Sequence, residues 1–128
     1  MSDTTTARKR DMRNPQNIVT RKAVVKAGET IEKGQIASRD ASGYAVNLDT
    51  SLPVLGVAVE EYAAGETATF NFFHVERFEK SDASATDVCE TAYAADNQTA
   101  TLSSNTAILG PVVDWGAGYV DVLMTLRA

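Results

Sequence analysis

Between Ser51 and Phe73 the chain alternates in steps of two. Leu55, Val57 and Val59 alternate with Gly56, Ala58 and Glu60. After Tyr62-Ala63-Ala64-Gly65-Glu66, Thr67, Thr69 and Asn71 alternate with Ala68, Phe70 and Phe72. Successive strand side chains point to opposite faces, so two such runs around a Gly-containing turn predict a half-buried β-hairpin. A weaker echo lies at Ile108–Leu126. There Ile108–Val113 is apolar, Asp114–Gly118 reads as a turn, and Tyr119–Leu126 alternates. Tyr119, Asp121, Leu123 and Thr125 share one face; Val120, Val122, Met124 and Leu126 share the other.

The remaining segments are shorter. Residues 1–18 show no periodicity and read as an extended arm. Ile18–Lys26 is a first strand, placed at an edge by its Lys and Arg residues. Gly28 and Gly34 bracket one apolar point, Ile31. Ile36–Arg39 runs into the turn Asp40–Gly43, with Tyr44–Leu48 as the return strand. His74–Asp82 breaks the pattern and reads as the end of the preceding strand or one helical turn. Asp82–Asp87 reads as polar linker, and Val88–Tyr93 and Gln98–Leu102 as a strand and its return.

The two halves superpose at an offset near 54 positions. Leu55-Gly56-Val57 falls on Leu109-Gly110-Pro111, and Ala45–Leu48 on Thr99–Leu102. Pro111 where the first copy has Val57 implies a strand at a sheet edge, or one that starts late. The expected fold is therefore all-β, a small antiparallel barrel or sandwich built from two duplicated β units. The units span residues 19–80 and 81–128, form one compact domain, and follow an extended basic arm at 1–18.

Charge adds an asymmetry that the net value of −5 conceals. Residues 1–22 hold Arg8, Lys9, Arg10, Arg13, Arg21 and Lys22 against Asp3 and Asp11, a balance of +4; the rest carries −9. A basic arm on an acidic body is an interaction tail. The arm's basic residues are not interleaved with aromatics and the body is acidic, so nucleic acid is not an expected partner. No apolar run approaches membrane-spanning length, and the N-terminus lacks the apolar region of a secretory signal. Cys89, the only cysteine, allows no disulfide within the chain and fits a reducing cytoplasm as the place of synthesis.

Candidate chemistry is sparse. His74 is the only histidine, which rules out a two-His metal site, and it reads as structural. Glu60, Glu61, Glu66, Glu76, Glu79, Asp82 and Asp87 read as a solubilising surface, and Cys89 as a small buried hydrophobe. No phosphate-binding glycine motif and no calcium-loop pattern is present. The expectation is a non-enzyme without cofactor or metal. Its candidate partner-binding residues are Arg8, Lys9, Arg10, Arg13 and Arg21 on the arm and first strand, and Trp115, an aromatic anchor in a loop.

Ala27-Gly28-Glu29 leading to Lys33-Gly34-Gln35, Tyr44-Ala45-Val46, Val54–Glu60 and Ala63–Thr69 together resemble the tailed-phage capsid decoration (cement, head-stabilising) proteins. The resemblance implies a β-rich virion protein on the outer capsid surface, binding the major capsid protein as a homotrimer and bridging capsomers without catalysis. Ala27–Gln35 also looks similar to the turn of biotinyl and lipoyl carrier domains. The hairpin tips Asp40–Gly43 and Ala63–Glu66 lack the lysine that such a carrier modifies. The alternative function is a small ligand- or carbohydrate-binding β-barrel, with Trp115 and Tyr119 lining the pocket. A tail or fibre-base position in the same virion is a third possibility.

Overall fold

The computed structural model describes residues 19–127. Arm positions 1–18, with Arg8, Lys9, Arg10 and Arg13, lie outside the described residues.

The described residues form twelve strands in chain order: β1 (Val19–Val24), β2 (Thr30–Ile31), β3 (Ile36–Arg39), β4 (Ala45–Asn47), β5 (Val54–Ala58), β6 (Tyr62–Ala63), β7 (Thr67–Phe72), β8 (Val75–Glu79), β9 (Thr91–Ala94), β10 (Ala100–Thr101), β11 (Ile108–Gly116) and β12 (Tyr119–Leu123). Among the described residues a 3-10 turn, Ala85–Asp87, interrupts them. Two five-stranded antiparallel sheets result. The first runs β1-β7-β5-β3-β4, and the second, read from its β8 edge, runs β8-β12-β11-β9-β10. Strand for strand these are the same sheet made twice. The fold is all-β. Each sheet curls until its edges meet at a single parallel bridge, Val25 with Ala45 and Glu79 with Thr99, and no closed barrel forms.

The repeat extends to irregularities. Ala37 pairs with Gly56 and Ser38 with Val54, so Leu55 is an extra residue. Ala92 pairs with Gly110 and Tyr93 with Ile108, so Leu109 is the extra residue of the second sheet. A bulge returns the next side chain to the face it would otherwise leave. So β5 does not simply alternate: Leu55 and Ala58 face one core, Val54 and Val57 the other, and with both faces covered all five of its residues are buried.

Three expectations change. His74–Asp82 is not the tail of the first unit, because β8 pairs along its length with β12 and opens the second sheet. Pro111 does not mark an edge: β11 lies between β9 and β12. The Val112 amide donates to Glu90 on the β9 side, so the preceding residue's nitrogen faces β12. The β12 ladder has ended there, at Val112 with Val122, and the missing N–H of proline leaves no ladder bond unmade. Finally, β11 continues through Trp115, and the turn is only Ala117-Gly118.

The core divides in two. Val25, Ile31, Ala37, Ala45, Leu55, Ala58, Ala68 and Phe70 fill the inside of the first sheet. The pair β2 and β6 brings fully buried Ile31 to this cluster. The second cluster holds Phe78, Ala92, Leu109, Val112, Val120, Val122 and Met124 from the inside of the second sheet, together with Ile36, Val54 and Val57 from the outer face of the first. The first sheet is thus apolar on both faces. At roughly 25 cal/mol per Å² of buried apolar surface, a core so rich in alanine and valine gains less per residue than one built on leucine and phenylalanine.

Candidate functional site

Of the partner-binding residues named above, Arg21 and Trp115 are described. Arg21 lies on edge strand β1 opposite Phe70. Its guanidinium stacks 4.2 Å from the centroid of the Phe72 ring, and Nη1 donates to the Val54 carbonyl at 3.3 Å. Partial burial lowers its pKa. These contacts hold the stem and head against the first sheet, so Arg21 is part of the wall and not a free tentacle. Trp115 lies in the second sheet opposite Val120, its amide donating to Asp114 Oδ1 at 2.8 Å. Its side chain remains partly exposed. The two residues belong to different sheets and do not form one site.

Trp115 and Tyr119 share none of the clefts found among the described residues. Tyr119 carries the Arg77 guanidinium 3.7 Å above its ring, and Arg77 is held by Asp121 through Nε at 2.9 Å and Nη2 at 3.2 Å. Hydrogen bonding to Asp121 raises the Arg77 pKa. This assembly borders a shallow cleft of 360 Å³ that also takes in Lys33, Gln35, Glu76 and Gln98 but not Trp115. The cleft walls bear both signs of charge.

His74 joins the sheets. Its Nε2 lies 2.7 Å from Glu76 Oε1, and Nδ1 is buried without a partner. Its polar neighbour is thus a carboxylate and not a hydroxyl or thiol nucleophile. Cys89 is exposed, with a left-handed backbone at φ 78°, and is not the buried hydrophobe its β-like sequence suggests. Among the described residues no group of three or more His, Cys, Asp and Glu is arranged to hold a metal ion. Nor is any helix long and apolar enough to cross a membrane.

One polar cluster escaped the sequence. Lys80, only 7% exposed, reaches Asp82 Oδ1 at 2.9 Å and Asp87 Oδ2 at 3.0 Å, and Asp87 is itself 5% exposed. The Ser84 amide donates to Asp87 at 3.1 Å. Burial works against the charge on Lys80, and the hydrogen bonds to Asp82 and Asp87 outweigh it, so its pKa stands above the ordinary lysine value. Asp87 therefore belongs to a buried pair and not to the solubilising surface. The cue was its Ser84-x-x-Asp87 spacing, that of a capping box, in which the Asp87 carboxylate accepts from the Ser84 amide.

The surface is most unusual in its apolar positions. Val19, Val24, Tyr44, Phe73, Val75, Val113 and Trp115 are exposed large hydrophobics. Phe73 and Val75 sit where the first sheet passes into the second, with half-buried Leu123 paired to Val75. Exposed apolar side chains grouped on a small protein mark an interaction surface. In the sequence, Leu123 is legible on its strand, but Val75 is not, because β8 does not alternate clearly.

Compared with known proteins, the chain matches no family model, no curated protein and no solved structure.

Proposed function

We propose that this protein is a structural virion component that decorates the outside of a tailed-phage capsid, binding the major capsid protein and stabilising capsomer junctions. The observation that carries the reading is the apolar surface at the junction of the two sheets, Phe73 and Val75 with Leu123, exposed and not enclosed in a deep cavity. Such a surface suits a flat, multi-copy contact better than capture of a small molecule. The segments that resemble decoration proteins form β2 to β7, including the β5–β7 pair and its β6 turn. In this reading many copies, as homotrimers, each add a modest contact, and their number supplies the avidity. The basic arm, with Arg8, Lys9, Arg10 and Arg13, is the second anchor in this reading, set against acidic patches on the shell.

The test is co-sedimentation with purified undecorated shells. The full chain pellets with shells, and the chain lacking residues 2–17 does so more weakly while keeping its β circular-dichroism spectrum. A full chain that stays in the supernatant at every salt concentration overturns the reading. A truncated chain that binds as tightly as the full one removes the arm from it.

A further inference from the structure

The duplication allows a comparison that one sheet alone could not offer. In the first sheet a row of paired residues crosses from β1 to β3: Thr20 with Asn71, Asn71 with Val57, Val57 with Ile36. The molecule covers the Val57 and Ile36 end of this row with its own second half. Ile36 is fully buried and Val57 is 7% exposed, both in the second core. The Ile36 amide donates to the Asn97 carbonyl at 3.0 Å, Asn97 Nδ2 donates to Gln35 at 3.0 Å, and the Thr106 amide donates to the Thr50 carbonyl at 3.1 Å. The cover is the second core, with Ala94, Ala100 and Ala107 among it, and the turn at Asp96–Gln98 and the loop at Thr106 bond to the first unit beside it.

The second sheet carries the corresponding row. Val75 pairs with Leu123, Pro111 pairs with Thr91, and Gly110 abuts the Leu123 carbonyl, which brings the two pairs side by side. Among the described residues this row is covered only in part. Val75 is 55% exposed, and Leu123, Pro111 and Thr91 are half-buried. In the corresponding turn and loop of the first unit, Ala41, Ser42, Gly43 and Tyr44 are exposed, and so are Ser51 and Pro53. Among the described residues, then, the row of the first unit is buried against the second unit, and the corresponding row of the second unit has no such cover. A two-fold relation would have buried both sets. One-way contacts between like units are heterologous, and they leave one complementary surface open at each end.

We infer that a second copy of this chain completes the pattern, its Asp40–Tyr44 turn and Ser51–Pro53 loop seated on the Val75–Leu123–Pro111–Thr91 face of the first. The inference rests on the duplicated fold and deepens the self-association in the function proposed above. It is tested without shells, so its failure and the failure of shell binding are separate results. Such contacts propagate head to tail and end in a ring or an open filament.

Light scattering after size exclusion, over a hundredfold dilution series, reads the outcome. The wild type shows a molar mass above the monomer that falls on dilution. Val75→Glu, on the face, and Tyr44→Glu, on the turn, are each monomeric alone, and an equimolar mixture of the two forms a dimer and nothing larger. That rescue occurs only if each variant retains the surface the other lacks. A wild type that is monomeric throughout, a Tyr44→Glu that associates like the wild type, or a mixture that stays monomeric overturns the inference. Should Val75→Glu lose its β spectrum, Val75→Lys is read in its place.

Discussion

Gly56 and Gly110 hold the same place in the two sheets. Each follows its bulge leucine, each pairs with a buried alanine, and their φ angles are 147° and 142°. A Cβ on Gly56 meets the backbone carbonyl of Asn71, and one on Gly110 meets that of Leu123. The space is closed by main chain, which cannot swing aside as a side chain can. Gly56→Ala and Gly110→Ala should each cost about 3 kcal/mol, combining a left-handed backbone with a clash. The sites lie in different sheets, so the double variant should lose nearly the sum. Urea midpoints check this, and a neutral result at either glycine contradicts the equivalence.

The buried lysine gives a second expectation. Lys80→Met leaves Asp87 buried with the Ser84 amide as its remaining partner, and should destabilise by about 3–5 kcal/mol. Lys80→Met/Asp87→Asn, which removes both charges, should lose less than Lys80→Met alone. Because the folded pKa of Lys80 is raised, its contribution is complete below the unfolded lysine value and fades as pH rises through the folded one. Denaturant unfolding between pH 8 and 12 should show an alkaline decline that is shallower in the double variant.

Acid acts on the two equivalent hairpin turns. The Tyr44 amide, then the Ser42 amide and Lys26, outweigh partial burial and lower the Asp40 pKa; the Gln98 amide, with Thr99, does the same for Asp96. Both carboxylates lend stability that is complete above the unfolded aspartate pKa of about 3.9 and is lost as pH falls through the lowered folded values. Asp40→Asn/Asp96→Asn should be less stable than wild type at pH 7 and lose less between pH 4 and 2. Parallel pH curves for the two proteins would refute the assignment.

Arg21 should matter for the fold before it matters for any partner. Losing its stack on Phe72 and its bond to Val54, Arg21→Ala should cost about 1 kcal/mol, and Arg21→Lys should recover only part, since ammonium lacks the planar face. Thermal unfolding of the three proteins ranks them.

Cys89, exposed in a left-handed turn, should react with a water-soluble thiol reagent in the native protein as fast as in urea. Protection in the native state contradicts its placement.

The duplication and the all-β class were legible because alternation and the Leu-Gly pairs survive in the sequence. What stayed hidden has particular causes. In β8, Val75, Arg77 and Glu79 face out while Glu76 is half-buried beside His74, so polarity does not mark the inner face and only Phe78 betrays a strand. Pro111 argued for an edge because sequence does not reveal where the neighbouring ladder stops. Asp87 looked like surface because its partner Lys80 also looked like surface, and burial of an ion pair depends on both. Trp115 and Tyr119 looked like one pocket because they are close in sequence, while Arg77, distant in sequence, is what occupies the tyrosine face.

The chain passes from the first sheet to the second once, through Phe73 and His74, and no strand crosses between them. The first sheet therefore has all its strands once Phe72 has left the ribosome, while the outer face with Ile36, Val54 and Val57 is still bare. The second half, arriving later, acts on the first as a chaperone that never leaves, and any delay in its synthesis exposes a sticky half-molecule to its neighbours.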